Sequence, residues 1–132
     1  MIKLITPIAY MGLIFILSSV PGDKTTPDTL LEQSLIWITP NVQNLLHIPL
    51  FFGLALTWTY ALKKHMKSNY LNLFTAFFLS ILYGIFDELH QTQVPGRYGS
   101  ISDLILNVLG AALIFLTPLI KKINYNKGAM IE

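Results

Sequence analysis

Four long apolar stretches alternate with short polar connections and dominate the hydrophobic pattern of the chain. They cover residues 4–20, 45–62, 71–86 and 101–120. A helix needs about 17–25 residues to cross a hydrocarbon core of roughly 30 Å, and only the third stretch is slightly short. It reaches that length if it continues to residue 90 with its polar side chains turned toward protein or water. The pattern therefore predicts an all-α membrane protein, a four-transmembrane-helix bundle of residues 1–123 with a polar tail at 124–132.

Composition agrees with this prediction. Of the 132 residues, 53% are hydrophobic and only 12% are charged, and the mean hydropathy is +0.56. A soluble domain of this length could not hide so much apolar surface from water. The chain has no cysteine, which excludes a disulfide framework, a thiolate metal site and a cysteine nucleophile.

The positions of the basic residues predict the orientation of the bundle. If all four stretches cross, seven of the nine basic residues lie on one side, and by the positive-inside tendency that side is cytoplasmic. Both termini and the loop after the second span would then be cytoplasmic, and the loops at 21–43 and 87–100 would face outward. An alternative for the first stretch is a cleaved signal peptide, since "MIK", an apolar run and "SSVPG" have that general shape. The seven residues are Lys3, Lys63, Lys64, Lys67, Lys121, Lys122 and Lys127.

The first outer loop contains "TTPDTLLEQSLIWITP", whose pattern predicts a short amphipathic helix. Thr26 can cap it, Pro27 suits its first position, and Pro40 ends it. Trp37 is typical of headgroup level, so the helix is expected on the outer membrane surface. A helix packed over the mouth of the bundle fits the same pattern.

The second outer loop and its flanks concentrate the ionisable residues, in "YGIFDELHQTQVPGRYGSISDLILNVLGA" at 83–111. Residues three or four apart share a helix face, so Asp87 lies beside His90 or Gln91, and Asp103 lies one turn before Asn107. Ionisable groups inside a membrane are costly and usually mark functional sites. We expect these residues to meet at one outward-facing mouth together with Glu88, Arg97, and the pair Asn44 and His47 of the second span.

Local signals place the turn between the third and fourth spans. Pro95 and Gly96 favour a turn, and Ser100 or Ser102 can cap the following helix. Arg97 can pair with an acidic residue or leave its guanidinium open to a ligand. Tyr83 is interpreted as an aromatic of the membrane interface.

These motifs resemble the signature of the VanZ-like membrane proteins, with Tyr-Gly, Asp-Glu-x-x-Gln, Pro-Gly-Arg and then Asp, Asn and Gly on the next helix. "SSVPG" and "NLLHIPLFFGLAL" extend the resemblance over most of the chain. One departure is at Gln43 and Asn44, where many members have an Asp-Lys pair, so the resemblance does not imply a role that needs that lysine. The family's polar positions correspond here to His47, Asp87, Glu88, Gln91, Arg97, Asp103 and Asn107.

The resemblance implies a small multi-pass protein of the bacterial cytoplasmic membrane and cell envelope. The family is named for an association with low-level resistance to the glycopeptide teicoplanin, which limits the context but identifies no reaction. Its partners would be membrane lipids together with a lipid-linked cell-wall precursor or a lipidated glycopeptide.

Three functions fit the residues. The first is binding of a lipid-linked or lipidated envelope molecule at the polar site, with candidate ligand-binding residues His47, Asp87, Glu88, His90, Gln91, Arg97, Asp103 and Asn107. The second is an intramembrane hydrolase or transferase acting on lipid phosphates, with a divalent metal held by candidates His47, Asp87, Glu88 and His90. The third is a structural subunit in which the cluster only locks helices together. A nucleic-acid role is not indicated, because topology accounts for the lysines and no aromatic-basic platform exists.

Overall fold

The computed structural model describes residues 2–21, 30 and 44–118, and all regular structure in these ranges is helical. The helices are α1 (Ile2–Ser18), α2 (His47–Leu62), α3 (Asn69–Gln91) and α4 (Ile101–Ala112), and a 3-10 turn, Leu113–Leu116, follows α4. The fold is therefore all-α, as predicted, and α3 continues past residue 86 as expected. The outer amphipathic helix lies outside the described residues except for residue 30, and so does the polar tail.

The starts of α3 and α4 follow from their capping residues. Ser68 accepts a hydrogen bond from the backbone N–H of Leu71, and Ser100 accepts one from the N–H of Ser102. Between the two helices, Gly96 has a φ of 69°, a conformation that glycine adopts without a steric cost. The predicted turn at Pro95 and Gly96 and the predicted serine cap are confirmed.

A proline lies inside α1 without a break in the helix. Pro7 has no N–H to donate to the carbonyl of Lys3. The hydroxyl of Thr6 donates to that carbonyl instead, at 2.8 Å. The carbonyl of Lys3 therefore still receives a hydrogen bond from within α1.

α2 is the central element and packs against α1, α3 and α4. One apolar cluster lies below the polar end of the bundle and contains Ile14, Phe51, Leu54 and Tyr83. A second lies farther along α2 and contains Ala55, Leu73, Ala111 and Ile114. Since these residues come from all four helices and the 3-10 turn, the clusters fix the relative positions of the elements.

α4 approaches the backbone of α2 closely at Gly110. A Cβ added at Gly110 would contact the carbonyl oxygen of Ile48 and stand 2.9 Å from its Cα. Gly84 of α3 similarly faces Asn107, with 3.3 Å from an added Cβ to the Cβ of Asn107. Small residues at these positions allow the close packing typical of membrane helices.

In the described part of the chain, one helix is long and apolar enough to cross a membrane, and that helix is α3. Its 23 residues correspond to about 34 Å at ~1.5 Å per residue. The other helices are apolar but shorter. Residues 2–21 and 44–118 thus contain four α-helices, while the four-span arrangement stays a prediction.

Candidate functional site

The antiparallel helices place the C-terminal ends of α1 and α3 beside the N-terminal ends of α2 and α4. Buried polar side chains gather at this end, and we call six of them the polar cluster. Its carboxylates are 1% exposed at Asp87, 8% at Glu88 and 6% at Asp103. Buried carboxylates are costly unless hydrogen-bonded or paired, so the partners of each one decide what the cluster can do. The polar cluster comprises His47, Asp87, Glu88, Gln91, Asp103 and Asn107.

Asn107 links two of the other helices through its side-chain amide. Its Nδ2 donates to Oε1 of Glu88 at 3.1 Å, and its Oδ1 lies 2.7 Å from Nδ1 of His47. Because an amide oxygen only accepts, Nδ1 of His47 carries the proton and donates it. Nε2 is then the ring nitrogen of His47 that has no hydrogen-bond partner among the described residues.

Asp87 is held by donors from two helices. The hydroxyl of Ser18 donates to its Oδ1 at 2.6 Å, and Nε2 of Gln91 donates to its Oδ2 at 3.0 Å. Neither donor carries a charge. The carboxylate is therefore oriented on both sides, while its negative charge is not neutralised by these contacts.

Glu88 of α3 accepts a hydrogen bond from the capping residue of α4, where a side chain of α4 itself could have been the acceptor. In a capping box, the side chain at the third helical position accepts from the N–H of the capping residue. Here the N–H of Ser100 donates to Oε2 of Glu88 at 3.0 Å, although Asp103 occupies that third position. Oδ1 of Asp103 is buried and has no hydrogen-bond partner among the described residues.

Arg97 lies in the connector beside the cluster and is half-buried. Its Nε donates to the carbonyl of Val20 at 2.9 Å, and no ion pair to a carboxylate forms among the described residues. Burial lowers the pKa of the Arg97 guanidinium from its ordinary value, and the carboxylates of Asp87, Asp103 and Glu88 act in the opposite direction. The sequence predicted that Arg97 either pairs with an acidic residue or leaves its guanidinium open to a ligand. Among the described residues, Arg97 has no carboxylate partner.

His90 is separated from the other site candidates. Its Nε2 lies 2.9 Å from the hydroxyl of Ser19, and its ring stacks on Phe15 with centroids 4.3 Å apart. Asn44 is exposed and also lies outside the polar cluster. Of the four metal candidates, the structure brings together His47, Asp87 and Glu88, whose potential ligand atoms all lie within 4.8 Å of one another.

A cavity of about 60 Å³ opens beside the polar cluster. This volume exceeds the 10–15 Å³ or so that one water requires on the same measure. Polar and apolar side chains share the lining. The polar ones are Ser18, His47, Asp87, Gln91 and Arg97, and the apolar ones are Ile14, Leu17, Leu46 and Leu50.

The sequence interpretation of Tyr83 is wrong. The side chain is 8% exposed, and its hydroxyl donates to the carbonyl of Met11 at 2.6 Å, so it packs between helices and not at a lipid interface. Ser18, which donates to Asp87 and lines the cavity, was missed as a site residue. The available signal was a pair of hydroxyls at the end of an apolar run, on the same side as the acidic end of the third span.

Fold and site together define an all-helical protein with a buried, carboxylate-rich polar cluster at one end of its helices. The family model of VanZ/LLP1 matches residues 4–122, and the chain therefore belongs to this family. It is thus a VanZ-like protein, of a family linked to glycopeptide resistance and generally membrane-associated. No curated protein and no solved structure matches the chain.

Proposed function

We propose that this protein is an integral membrane protein of the bacterial cell envelope that binds a lipidated or lipid-linked envelope molecule. The ligand's polar group enters the cavity beside the polar cluster, and its lipid chain lies against the neighbouring apolar side chains. The proposal includes four membrane-embedded helices, cytoplasmic termini and a polar cluster that faces outward.

One observation carries the proposal, namely the mixed lining of the cavity. Asp87, Gln91 and Arg97 present acceptors and donors, while Leu17 and Leu50 present only apolar surface. A binding site typically combines an apolar lining with a few placed polar groups that fix the orientation of the ligand. A molecule with a polar head and an acyl chain matches this lining, since its head can contact the polar side chains and its chain the apolar ones.

Charge indicates which polar group is accepted. With histidines counted as neutral, three carboxylates and Arg97 leave a net charge of minus two. A bare phosphate would be repelled by this surplus. An amine or the hydroxyls of a sugar fit better, because carboxylates accept hydrogen bonds from both.

The outer faces of the helices support membrane embedding. Large apolar side chains on α1, α3 and α4 point away from the bundle, including Ile8 at 62% exposed and Phe78 at 60%. Exposure of so many large apolar side chains is costly in water and favourable in lipid. Others on the same faces are Ile5, Ile16, Phe74, Leu89, Ile105 and Leu109.

Two neighbouring glutamines provide the test. Gln91 is buried and lines the cavity, whereas Gln93 is exposed two residues later. Removing a buried polar contact to a ligand costs about 1–3 kcal/mol, so Gln91→Ala should weaken binding of a fluorescent lipoglycopeptide about tenfold. Gln93→Ala should leave the affinity within twofold. Binding is measured by fluorescence anisotropy on protein in nanodiscs.

Further probes separate the outcomes. Asp87→Asn removes charge with little change of shape and should weaken an amine-bearing probe more than a neutral lipid-linked sugar. If the wild type binds neither probe, or if Gln91→Ala and Asp87→Asn both bind as the wild type does, the binding proposal is wrong. A cluster that only holds helices together would give that second result.

A further inference from the structure

We propose that His47, Asp87 and Glu88 form a binding site for one divalent transition-metal cation. This inference goes beyond binding of an envelope molecule and does not depend on it. The cation is held by side chains of α2 and α3 alone, so a protein that binds no lipidated molecule would still take it up.

The ligand atoms are already close to the spacing that a single ion requires. Those of the three residues all lie within 4.8 Å of one another. Ligands at about 2.1 Å from one ion stand at most ~4.2 Å apart. Adjustments of less than about 1 Å in the position of each ligand atom therefore close the site.

Each ligand is oriented by a partner behind it, as is usual at metal sites. The side-chain oxygen of Asn107 accepts a hydrogen bond from the N–H at Nδ1 of His47, which leaves Nε2 as the nitrogen able to coordinate. Ser18 and Gln91 hold the carboxylate of Asp87. Asn107 and the N–H of Ser100 hold that of Glu88. Every carboxylate oxygen involved has received one hydrogen bond and retains a second lone pair for a metal.

An independent observation supports a cation at this position. Oδ1 of Asp103 is buried without a hydrogen-bond partner among the described residues, and Asp103 lies one helical turn before Asn107, which contacts Glu88. Three buried carboxylates thus face one guanidinium, and Arg97 makes no ion pair with any of them in the described chain. Buried charge of one sign requires compensation, which a divalent cation supplies.

The ligand set selects the class of ion. An imidazole nitrogen favours borderline metals such as Zn²⁺, and carboxylate oxygens suit Mn²⁺ and Mg²⁺ as well. With one nitrogen and two carboxylates, Zn²⁺ and Mn²⁺ are the expected ions, and Zn²⁺ binds more tightly because it stands later in the Irving–Williams order. Ca²⁺, which prefers six to eight oxygen ligands, is expected to bind at least tenfold more weakly than Zn²⁺.

The test uses the full chain without a polyhistidine tag, purified in detergent and stripped with a chelator. Titration with Zn²⁺ and Mn²⁺ by calorimetry should show one site per chain. His47→Gln and Glu88→Gln should each weaken Zn²⁺ binding by at least tenfold. The matched control is His90→Gln, which removes a nearby imidazole that lies outside the ligand set and should leave the affinity within threefold.

Two results would overturn the proposal. One is a wild type that binds less than about 0.1 equivalent of either ion at concentrations where Zn²⁺ sites of this kind saturate. The other is equal loss of binding in His90→Gln and His47→Gln. If His47→Gln loses its helical circular dichroism, the role of His47 is tested on the wild type instead. Electron spin-echo modulation of bound Mn²⁺ detects a coordinated nitrogen, and a spectrum without one excludes His47 as a ligand.

Discussion

Asn107 joins two other members of the polar cluster, His47 and Glu88, across three helices. Its side chain is fully buried and contacts both His47 and Glu88. These contacts join α4 to α2 and to α3. A change at this one amide therefore affects three helices and the protonated nitrogen of the histidine at the same time.

Replacing Asn107 with leucine, which has a similar size, should lower the free energy of unfolding by about 2–5 kcal/mol, because two buried polar groups lose their partner. The change is measured by denaturant titration of the detergent-solubilised protein. Asn44→Leu provides the control, since Asn44 is exposed and its loss should cost less than about 0.5 kcal/mol. Equal effects of the two substitutions would show that the amide bridge contributes nothing to stability.

Individual residues were predicted from sequence to different degrees. The face of α3 that carries Asp87 and Gln91 follows from helical spacing, and the capping role of Ser100 follows from its position before an apolar run. The orphaned oxygen of Asp103 could not be predicted, because it arises when Glu88 of another helix takes the N–H of Ser100. Tyr83 was misplaced for a related reason, since its carbonyl partner at Met11 lies 72 residues away.

At the scale of elements, the contact between α2 and α4 sets how closely the helices can approach. An added methyl group at Gly110 would meet the backbone of Ile48, with its carbonyl carbon at 3.0 Å. The backbone of a helix cannot move away from such a contact by a change of rotamer, as a flexible side chain can. The spacing of these two helices therefore requires glycine at this position.

Gly110→Ala should destabilise the protein by about 1–3 kcal/mol, as is typical of overpacking, and should also weaken the contact between His47 and Asn107 as α4 moves away. Gly12→Ala is the matched control, because nothing lies within 4 Å of an added Cβ at that exposed helical position. It should be neutral or stabilising by up to about 1 kcal/mol. Thermal unfolding of both variants measures the difference, and a stable Gly110→Ala protein would contradict the required close contact.

Helix bounds were largely predictable, and helix partners were not. The apolar stretches at 45–62 and 71–90 correspond closely to α2 and α3, since hydrophobic pattern and capping residues act locally. The central position of α2 depends on which small residues face which helix in three dimensions. The 3-10 turn after α4 likewise has no signal in the apolar run that contains it.

For the whole molecule, the charge distribution predicts which end faces the cytoplasm. The chain has no cysteine, so single cysteines report their own location. Tyr98 is 85% exposed at the polar end, and Lys64 is exposed in the loop at the other end. A membrane-impermeant maleimide should label Tyr98→Cys in intact cells.

Lys64→Cys should react only after the membrane is permeabilised, because the positive-inside tendency places that loop in the cytoplasm. Labelling of both positions in intact cells, or of Lys64→Cys alone, would contradict the proposed orientation. A cysteine-free wild type shows the background reaction in the same assay.

The contacts of α1 have a consequence for synthesis of the chain. Val20 and Arg97 are 77 residues apart. At a synthesis rate of ~5–20 residues per second, Arg97 is added about 4–15 s after Val20. During that interval Ser18 and Ser19 need not remain unsatisfied, because their hydroxyls can donate to the carbonyls of Ile14 and Phe15 within α1 itself. Once α3 has been made, the hydroxyl of Ser18 can donate to Asp87. Backbone carbonyls of α1 can therefore accept hydrogen bonds from these serine hydroxyls until the later helices have been synthesised.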